Sequence, residues 1–305
     1  MDYDKRKHLI QEVQKDNWID KVNAARVDGR MCSWITTFHP DQLRCGFDGG
    51  FLNGSYNLCQ KFRFSDNTTW ILRFPRVGAI CEDNADEKVA MEVEVLSLIR
   101  ERTSIPVPKL YSWGLAADNP LGLGAFILIE FIEGTTLNHL LKDLNPAVDS
   151  RLIREGISDN DIELLFRQIS CIQLQLFELD FDRIGSLPTP KTGFSAPIRP
   201  LTWKVHEIIQ TGGVNTFAGP YDAENKYISF KLLASPVPGY VNKKYDQGPF
   251  KLVCDDLGLG NLIVKSDDDL TIVGVVDLEW SYAGPAQLFA SAPWWLLQDR
   301  PVNPQ

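Results

Sequence analysis

Near the end of the chain, "KLVCDDLGLGNLIVKSDDDLTIVGVVDLEW" (Lys251 to Trp280) sets two adjacent carboxylates, Asp255 and Asp256, ahead of Asn261, with Asp277 closing an apolar run sixteen residues later. Taken singly, each is an ordinary polar loop residue. "NLIVK" and "LTIVGVVD" are β-rich, and the "SDDD" between them is turn chemistry. If the two runs pair as a hairpin, Asn261 approaches Asp277 across the ladder, and Asp256 sits on the loop leading in. A carboxylate, an amide oxygen and a second carboxylate at one hairpin mouth form a hard-oxygen site. That donor set suits Mg²⁺, which takes one or two protein oxygens and completes its octahedron with water and phosphate oxygens.

The Asp-x-x-x-x-Asn spacing of Asp256 and Asn261 is that of a phosphoryl-transfer catalytic loop, where the Asp accepts a hydroxyl proton and the Asn, with a later Asp, holds metal. Other chemistries fit less well. No glycine loop ends in G-K-[ST], so a P-loop is excluded. "GLGNLI" and "GLGAF" lack the third glycine and the βαβ setting of a dinucleotide fingerprint. Side chains of the neighbours Asp255 and Asp256 point apart and cannot flank one glycosidic bond. Cys254 has no local histidine to act as its base, since the four histidines are His8, His39, His139 and His206.

The elements that must position these residues follow from hydrophobic periodicity. Residues 1–30 read as a charged helix. "GGFLNGSYNLCQKFRF" and "TTWILRFP" read as a hairpin about "SDNT", and "AFILIEFIEG" as a short strand buried on both faces. "DEKVAMEVEVLSLIRERTS" is helical, with Val89, Val93 and Leu96 on one face, and Pro106 and Pro108 stop it. "DIELLFRQISCIQLQLFELDF" puts Ile162, Leu165, Ile169, Ile172 and Leu176 on one face of a long core helix. Residues 186–200 are a proline-rich loop, and residues 201–235 are mixed or helical. Strands with one helix precede a mainly helical half, so the fold class is α+β and bilobal. The expected lobes are residues 1–133 and 134–305, meeting near Gly134.

The 305 residues suffice for two lobes, and 44% hydrophobic with 23% charged residues is ordinary globular composition. A formal charge of −9 disfavours nucleic acid as a partner. No apolar run reaches membrane-spanning length, so no membrane association is expected. The six cysteines are scattered without C-x-x-C spacing, which implies reduced thiols, no zinc site and a cytoplasmic location.

"CDDLGLGNLIV…VGVVDLEWSYAGPAQ" resembles the aminoglycoside/choline-kinase-like phosphotransferases, especially fungal small-molecule members. "GSYNLCQKFRF", "WILRFP", "TSIPVPKLY", "FILIEFIEGTTL" and "FDRIGSL" resemble that family's successive blocks in order, over roughly Gly49 to Trp295. The resemblance implies a protein-kinase-like fold with a β-rich N-lobe and a mainly helical C-lobe. It also implies ATP and Mg²⁺ as cofactors, and a small hydroxylated, even cationic, substrate. On this resemblance Asp256 is the catalytic base, and Asn261 and Asp277 hold the metal. Arg73 stands where most relatives carry a strand lysine, and Glu92 is its helix partner, with Glu94 the rival. Gly54 and Ser55 cover the phosphates. Glu130, Phe131 and Ile132 form the hinge whose backbone meets adenine. Asp255, Glu279 and residues 190–245 are expected to face the substrate.

Three departures stand out. Cys254 and Asp255 replace the family's His-x-Asp lead-in, and Gly258 and Leu259 replace its second histidine and proline. Arg73 replaces lysine, keeping charge while changing geometry. The chain stops soon after "APWWLLQDRPVNPQ", where the family often adds helices. These departures keep two other readings in play: a pseudokinase that binds nucleotide without transfer, and a repurposed enzyme acting on a small metabolite.

Overall fold

The computed structural model describes residues 3–142, 154, 156–210 and 220–291. Helices α1 (Tyr3–Val27) and α2 (Arg30–Thr36) lead into an antiparallel sheet. Its strands β1 (Cys45–Asn53), β2 (Asn57–Phe64), β3 (Thr69–Pro75), β4 (Leu110–Gly114) and β5 (Phe126–Glu130) take the order β1-β2-β3-β5-β4. The strand period of two decides which face each residue serves. Trp70, Leu72 and Phe74 of β3, with Phe126 and Leu128 of β5, pack into the cluster under α1 and α2. The alternate residues Ile71, Arg73 and Ile129 face the other way, into a cleft.

The stretch "GGFLNGSYNLCQKFRF" is two strands rather than one. Gly54, Ser55 and Tyr56 turn between β1 and β2, and the Gly54 N–H donates to Asn57 O at 2.9 Å. The glycine and serine that break the alternation are the signal for that turn.

Helix α3 (Glu82–Arg102) follows β3 and is buried on nearly every side, Lys88, Glu92 and Glu94 included. Acids in its first turn and Arg100 and Arg102 in its last complement the helix dipole. One face joins a core cluster that continues into the second half through Leu137, Leu165, Ile169, Ile172, Leu252, Val264 and Leu278.

That second half contains β6 (Thr135–Thr136), α4 (Leu137–Leu141), α5 (Asp159–Phe177), β7 (Asp180–Phe181), α6 (Trp203–Gln210), α7 (Pro220–Ala234) and α8 (Val237–Tyr240). It continues with β8 (Phe250–Cys254), β9 (Leu262–Val264), β10 (Ile272–Val275), β11 (Ser281–Gly284) and α9 (Ala286–Phe289). Gly134 makes the join at φ +149°, and a Cβ there would sit 2.2 Å from Val264 O, so only glycine fits. The late hairpin is present: β9 and β10 pair antiparallel with Val275 opposite Leu262. Two three-stranded sheets, β10-β9-β6 and β11-β8-β7, replace the single expected hairpin. Their added pairings join residues 27 to 129 positions apart, such as Ser281 with Cys254, Asp180 with Lys251 and Thr135 with Val264, which no local pattern announces. The segment 292–305, which holds "PWWLLQDRPVNPQ", lies outside the described residues. The molecule is thus an α+β bilobal protein with a β-sheet N-terminal half.

Candidate active site

A cleft of about 470 Å³ lies between the halves. Gly54, Ser55, Arg73, Glu130, Phe131, Ile132, Asp256, Asn261 and Asp277 all line it; of the residues expected to serve catalysis, metal or nucleotide, only Glu92 does not. Glu92 lies one layer deeper, and the Arg73 Nη1 donates to its Oε1 at 2.8 Å.

Arg73 is the hub. Besides Glu92, its Nη2 donates to Asp277 Oδ1 at 2.6 Å and reaches Glu279 Oε2 at 3.4 Å. One guanidinium fork therefore joins α3 to the segment after β10, which a lysine's single ammonium cannot do with the same planarity. The carboxylates outweigh burial and hold Arg73 protonated far above its ordinary range. Burial lifts Glu92 above the usual carboxylate range in spite of Arg73. Burial also works to raise Asp277, but Arg73 and Lys88 outweigh it and the carboxyl lies below its usual range. Asp277 adopts φ +61°, a left-handed conformation that Asp tolerates better than most residues and that turns its carboxylate toward the cleft after the β10 ladder ends.

Asp256 and Asn261 are held on one loop. The Asn261 Nδ2 donates to the Asp256 backbone carbonyl at 2.8 Å, and the Asn261 carbonyl accepts the Val276 N–H at 2.9 Å. The loop thus docks on the residue preceding Asp277. Gly258 and Leu259, where a histidine and proline are absent, form the start of a 3₁₀ turn, Leu259–Asn261, closed by the Asn261 N–H on Gly258 O. Cys254 is a packing residue whose thiol burial pushes up to about 11.

At the hinge, Glu130 and Phe131 have already committed their N–H groups, to Lys109 O at 2.8 Å and Thr69 O at 3.1 Å. Only Ile132 keeps a main-chain N–H without a described protein acceptor. The Phe131 ring is covered by Lys61, 4.4 Å from its centroid. The Glu130 and Phe131 N–H groups thus face the sheet and its flanking segments, and all three hinge residues line the cleft.

Glu94 points elsewhere: its carboxylate accepts the N–H groups of Lys191 and Thr192 and the Thr192 hydroxyl. Glu279 lines the cleft, whereas Asp255 is not among the residues lining it. Glu279 is 2% exposed, and its Oε2 takes the Lys88 ammonium at 2.5 Å and the Asn57 amide at 2.6 Å. Asp255 accepts the Tyr282 hydroxyl at 3.2 Å. Within 190–245, Trp203 lines the cleft, its indole N–H bonded to the Tyr56 hydroxyl, whereas α7 buries none of its residues.

Lys88 and Asn57 are the functional residues that sequence reasoning missed. Lys88 is 1% exposed and donates to Asn57 Oδ1 at 2.8 Å. The only available signal was its place four residues before Glu92, on the same helix face. Among the described residues no group of three or more His, Cys, Asp and Glu is arranged to hold a metal by itself. No described helix is long and apolar enough to cross a membrane.

Residues 52–157 match the model of the phosphotransferase enzyme family, called APH. Among curated proteins, the chain is 30% identical over 137 residues to altered inheritance of mitochondria protein 9, mitochondrial, of Zygosaccharomyces rouxii, covering 44% of this chain and 20% of that protein. The protein of the same name from Kluyveromyces lactis is 29% identical over 156 residues, covering 50% of this chain and 24% of that one. The match thus spans a fifth to a quarter of these fungal relatives. A crystal structure of a Ralstonia eutropha protein assigned to the aminoglycoside phosphotransferases superposes with TM-score 0.51 at 16% identity, covering 84% of this chain and 65% of that one. The cleft therefore sits in a protein-kinase-like bilobal fold, in a chain whose residues 52–157 resemble the phosphotransferase enzyme family and whose curated relatives are fungal.

Proposed function

We propose that the chain is an ATP-dependent phosphotransferase acting on a hydroxyl group of a small molecule, with residues 1–133 as the lobe covering the nucleotide and 134–305 as the catalytic lobe. One observation carries the reading: Arg73 joins Glu92 to Asp277 in the cleft that Asp256 and Asn261 also line. The residues present suit Mg·ATP. Ile71, Ile129, Ile263 and Val276 give apolar walls for a planar base, and the Ile132 N–H is a donor beside them. The Asp277 oxygen not taken by Arg73 and the Asn261 side-chain oxygen are the hard donors. With so few carboxylates gathered, most of the coordination would fall to water and phosphate oxygens, which is ordinary for magnesium. When bound, Mg²⁺ neutralises charge on the phosphates.

The chain's own residues do the rest. Arg73, held rigidly by Glu92, presents a fixed positive charge at the cleft wall, where preorganised charge is most effective. Gly54 and Ser55, exposed at the tip of the β1–β2 turn, close over the phosphates. Asp256 accepts the proton of the substrate hydroxyl, its backbone fixed by Asn261. The substrate class is a hydroxylated small molecule, and the acidic residues nearby favour one carrying positive charge.

A second reading has an observation in its favour. The Asp277 oxygen is already bound by Arg73, the arrangement expected if the segment serves nucleotide binding or scaffolding without transfer. ADP release from Mg·ATP with a panel of hydroxylated acceptors decides between them. Transfer predicts acceptor-dependent ADP, the pseudokinase predicts binding without it, and a repurposed enzyme predicts acceptor consumption without ADP. The compartment is open to the same kind of test: the relatives' names favour mitochondria over the cytoplasm, and a fluorescent fusion of the full-length protein reads it directly.

A further inference from the structure

Glu279 receives three donors, one each from β2, β3 and α3. These are Asn57 Nδ2 of β2 at 2.6 Å, Arg73 Nη2 of β3 at 3.4 Å and Lys88 Nζ of α3 at 2.5 Å. Lys88 closes the loop by donating to Asn57 Oδ1 at 2.8 Å. All four side chains are at least nine-tenths buried. Asn57 is the first residue after the Gly54–Tyr56 turn, and Glu279 is two residues beyond Asp277. The carboxylate therefore ties the turn above the cleft, the strand cation beside it and the helix behind it to the segment below.

Burying two charges is costly, and a packed apolar pair of similar size is commonly as stable. The arrangement must therefore supply something that apolar packing cannot, and what it supplies here is direction. A carboxylate with two short donors and a third, longer one from the guanidinium fixes the turn, the guanidinium and Asp277 in one relative geometry, whereas leucine and methionine would allow sliding. Trp280, 1% exposed, packs edge-on against Tyr56 at 5.4 Å and lies beside the Lys88 ammonium, 5.8 Å from its ring centroid.

We infer that Glu279, with Lys88 as its counter-ion, is a positioning residue that pins the β1–β2 turn over the cleft and sets Arg73 against Asp277. The pin deepens the phosphotransferase reading and rests on it for its kinetic consequence, but its structural consequence is measurable without nucleotide.

The test uses two variants and two readouts. Lys88→Met/Glu279→Leu removes both charges together, and Asn57→Ala cuts the turn from an intact Lys88–Glu279 pair. The first readout is amide hydrogen exchange at Gly54–Leu58 in the nucleotide-free protein. Exchange should quicken by about tenfold or more in both variants while β3 and β5 keep their protection, since one hydrogen bond to a charged group is worth about that factor in a local opening equilibrium. The second readout is the split of kcat against KM for ATP. The pin predicts that kcat falls about tenfold or more in the double variant at unchanged melting temperature. Wild-type exchange at 54–58 in a double variant of native melting temperature overturns the pin, as does wild-type exchange in Asn57→Ala should the double variant not fold. Faster exchange in a protein whose wild type turns over no ATP leaves the pin standing and removes the phosphotransferase reading instead.

Discussion

Arg73 Nη2 lies 2.6 Å from Asp277 Oδ1, although the two residues are separated by 204 positions in the chain. The contact joins the central strand of the N-terminal sheet to the end of the late hairpin. It occupies one oxygen of the carboxylate assigned to the metal, so binding of Mg·ATP and retention of Arg73 must share a single side chain. Asp277→Asn keeps a residue that accepts positive φ, whereas Asp277→Ala does not. Both should abolish metal-dependent transfer, and the alanine variant should lose about 1 kcal/mol more stability for its φ of +61°. Thermal melts with an ADP-release assay check both parts; turnover at the wild-type rate in either variant removes Asp277 from the mechanism.

Removing the cation is a separate matter. Arg73→Met leaves Glu92, 2% exposed, without its partner and should cost about 3–5 kcal/mol. Arg73→Met/Glu92→Met should recover most of that stability and none of the activity. Urea unfolding of the two variants distinguishes the outcomes, and equal losses in both would mean that the pair contributes nothing specific.

For Asp256 the expectation is kinetic. Asp256→Asn should lower kcat by about 10²–10⁴, the usual range for a general base, with nucleotide affinity nearly unchanged. Calorimetric titration with Mg·ATP beside initial rates gives both values. A loss of affinity as large as the loss of rate would move Asp256 from proton acceptor to ligand binder.

Glu94 provides a control on the same helix. It takes two main-chain N–H groups and a hydroxyl from the loop at Lys191–Thr192. Glu94→Ala should cost about 1–3 kcal/mol through unsatisfied donors and speed exchange in that loop. Nucleotide binding should not change.

The pH dependence of stability has a definite sign on the alkaline side. Burial pushes the Cys59 and Cys254 thiols to about 11, from about 9 when unfolded. The native state keeps its protons longer, so this stability is complete below pH 9 and is lost as pH rises toward 11. The loss should be of the order of 1–2 kcal/mol per thiol, and a Cys59→Ala/Cys254→Ala variant should show a flatter decline in its unfolding midpoint. An equally steep decline in the variant would assign the effect to other groups.

The sequence by itself determined what could be read within one element or one short loop. The period of two in "TWILRFP" settled that Arg73 shares the face of Ile71 rather than that of Leu72. The helical period settled Glu92 beside Val89, Val93 and Leu96. The Asp256–Asn261 spacing and the hairpin behind it settled which polar groups share a loop. Tertiary structure alone decided the partners. Glu94 is buried as fully as Glu92 and lies two residues away, yet helix rotation sends one to a loop and the other to Arg73. Lys88 reads as a solvated helix lysine until a carboxylate 191 positions later, Glu279, is brought to its ammonium. The cause is physical: periodicity specifies a direction relative to an element's own axis, while a buried charge is tolerated only where a distant opposite charge meets it, and that depends on how the elements pack.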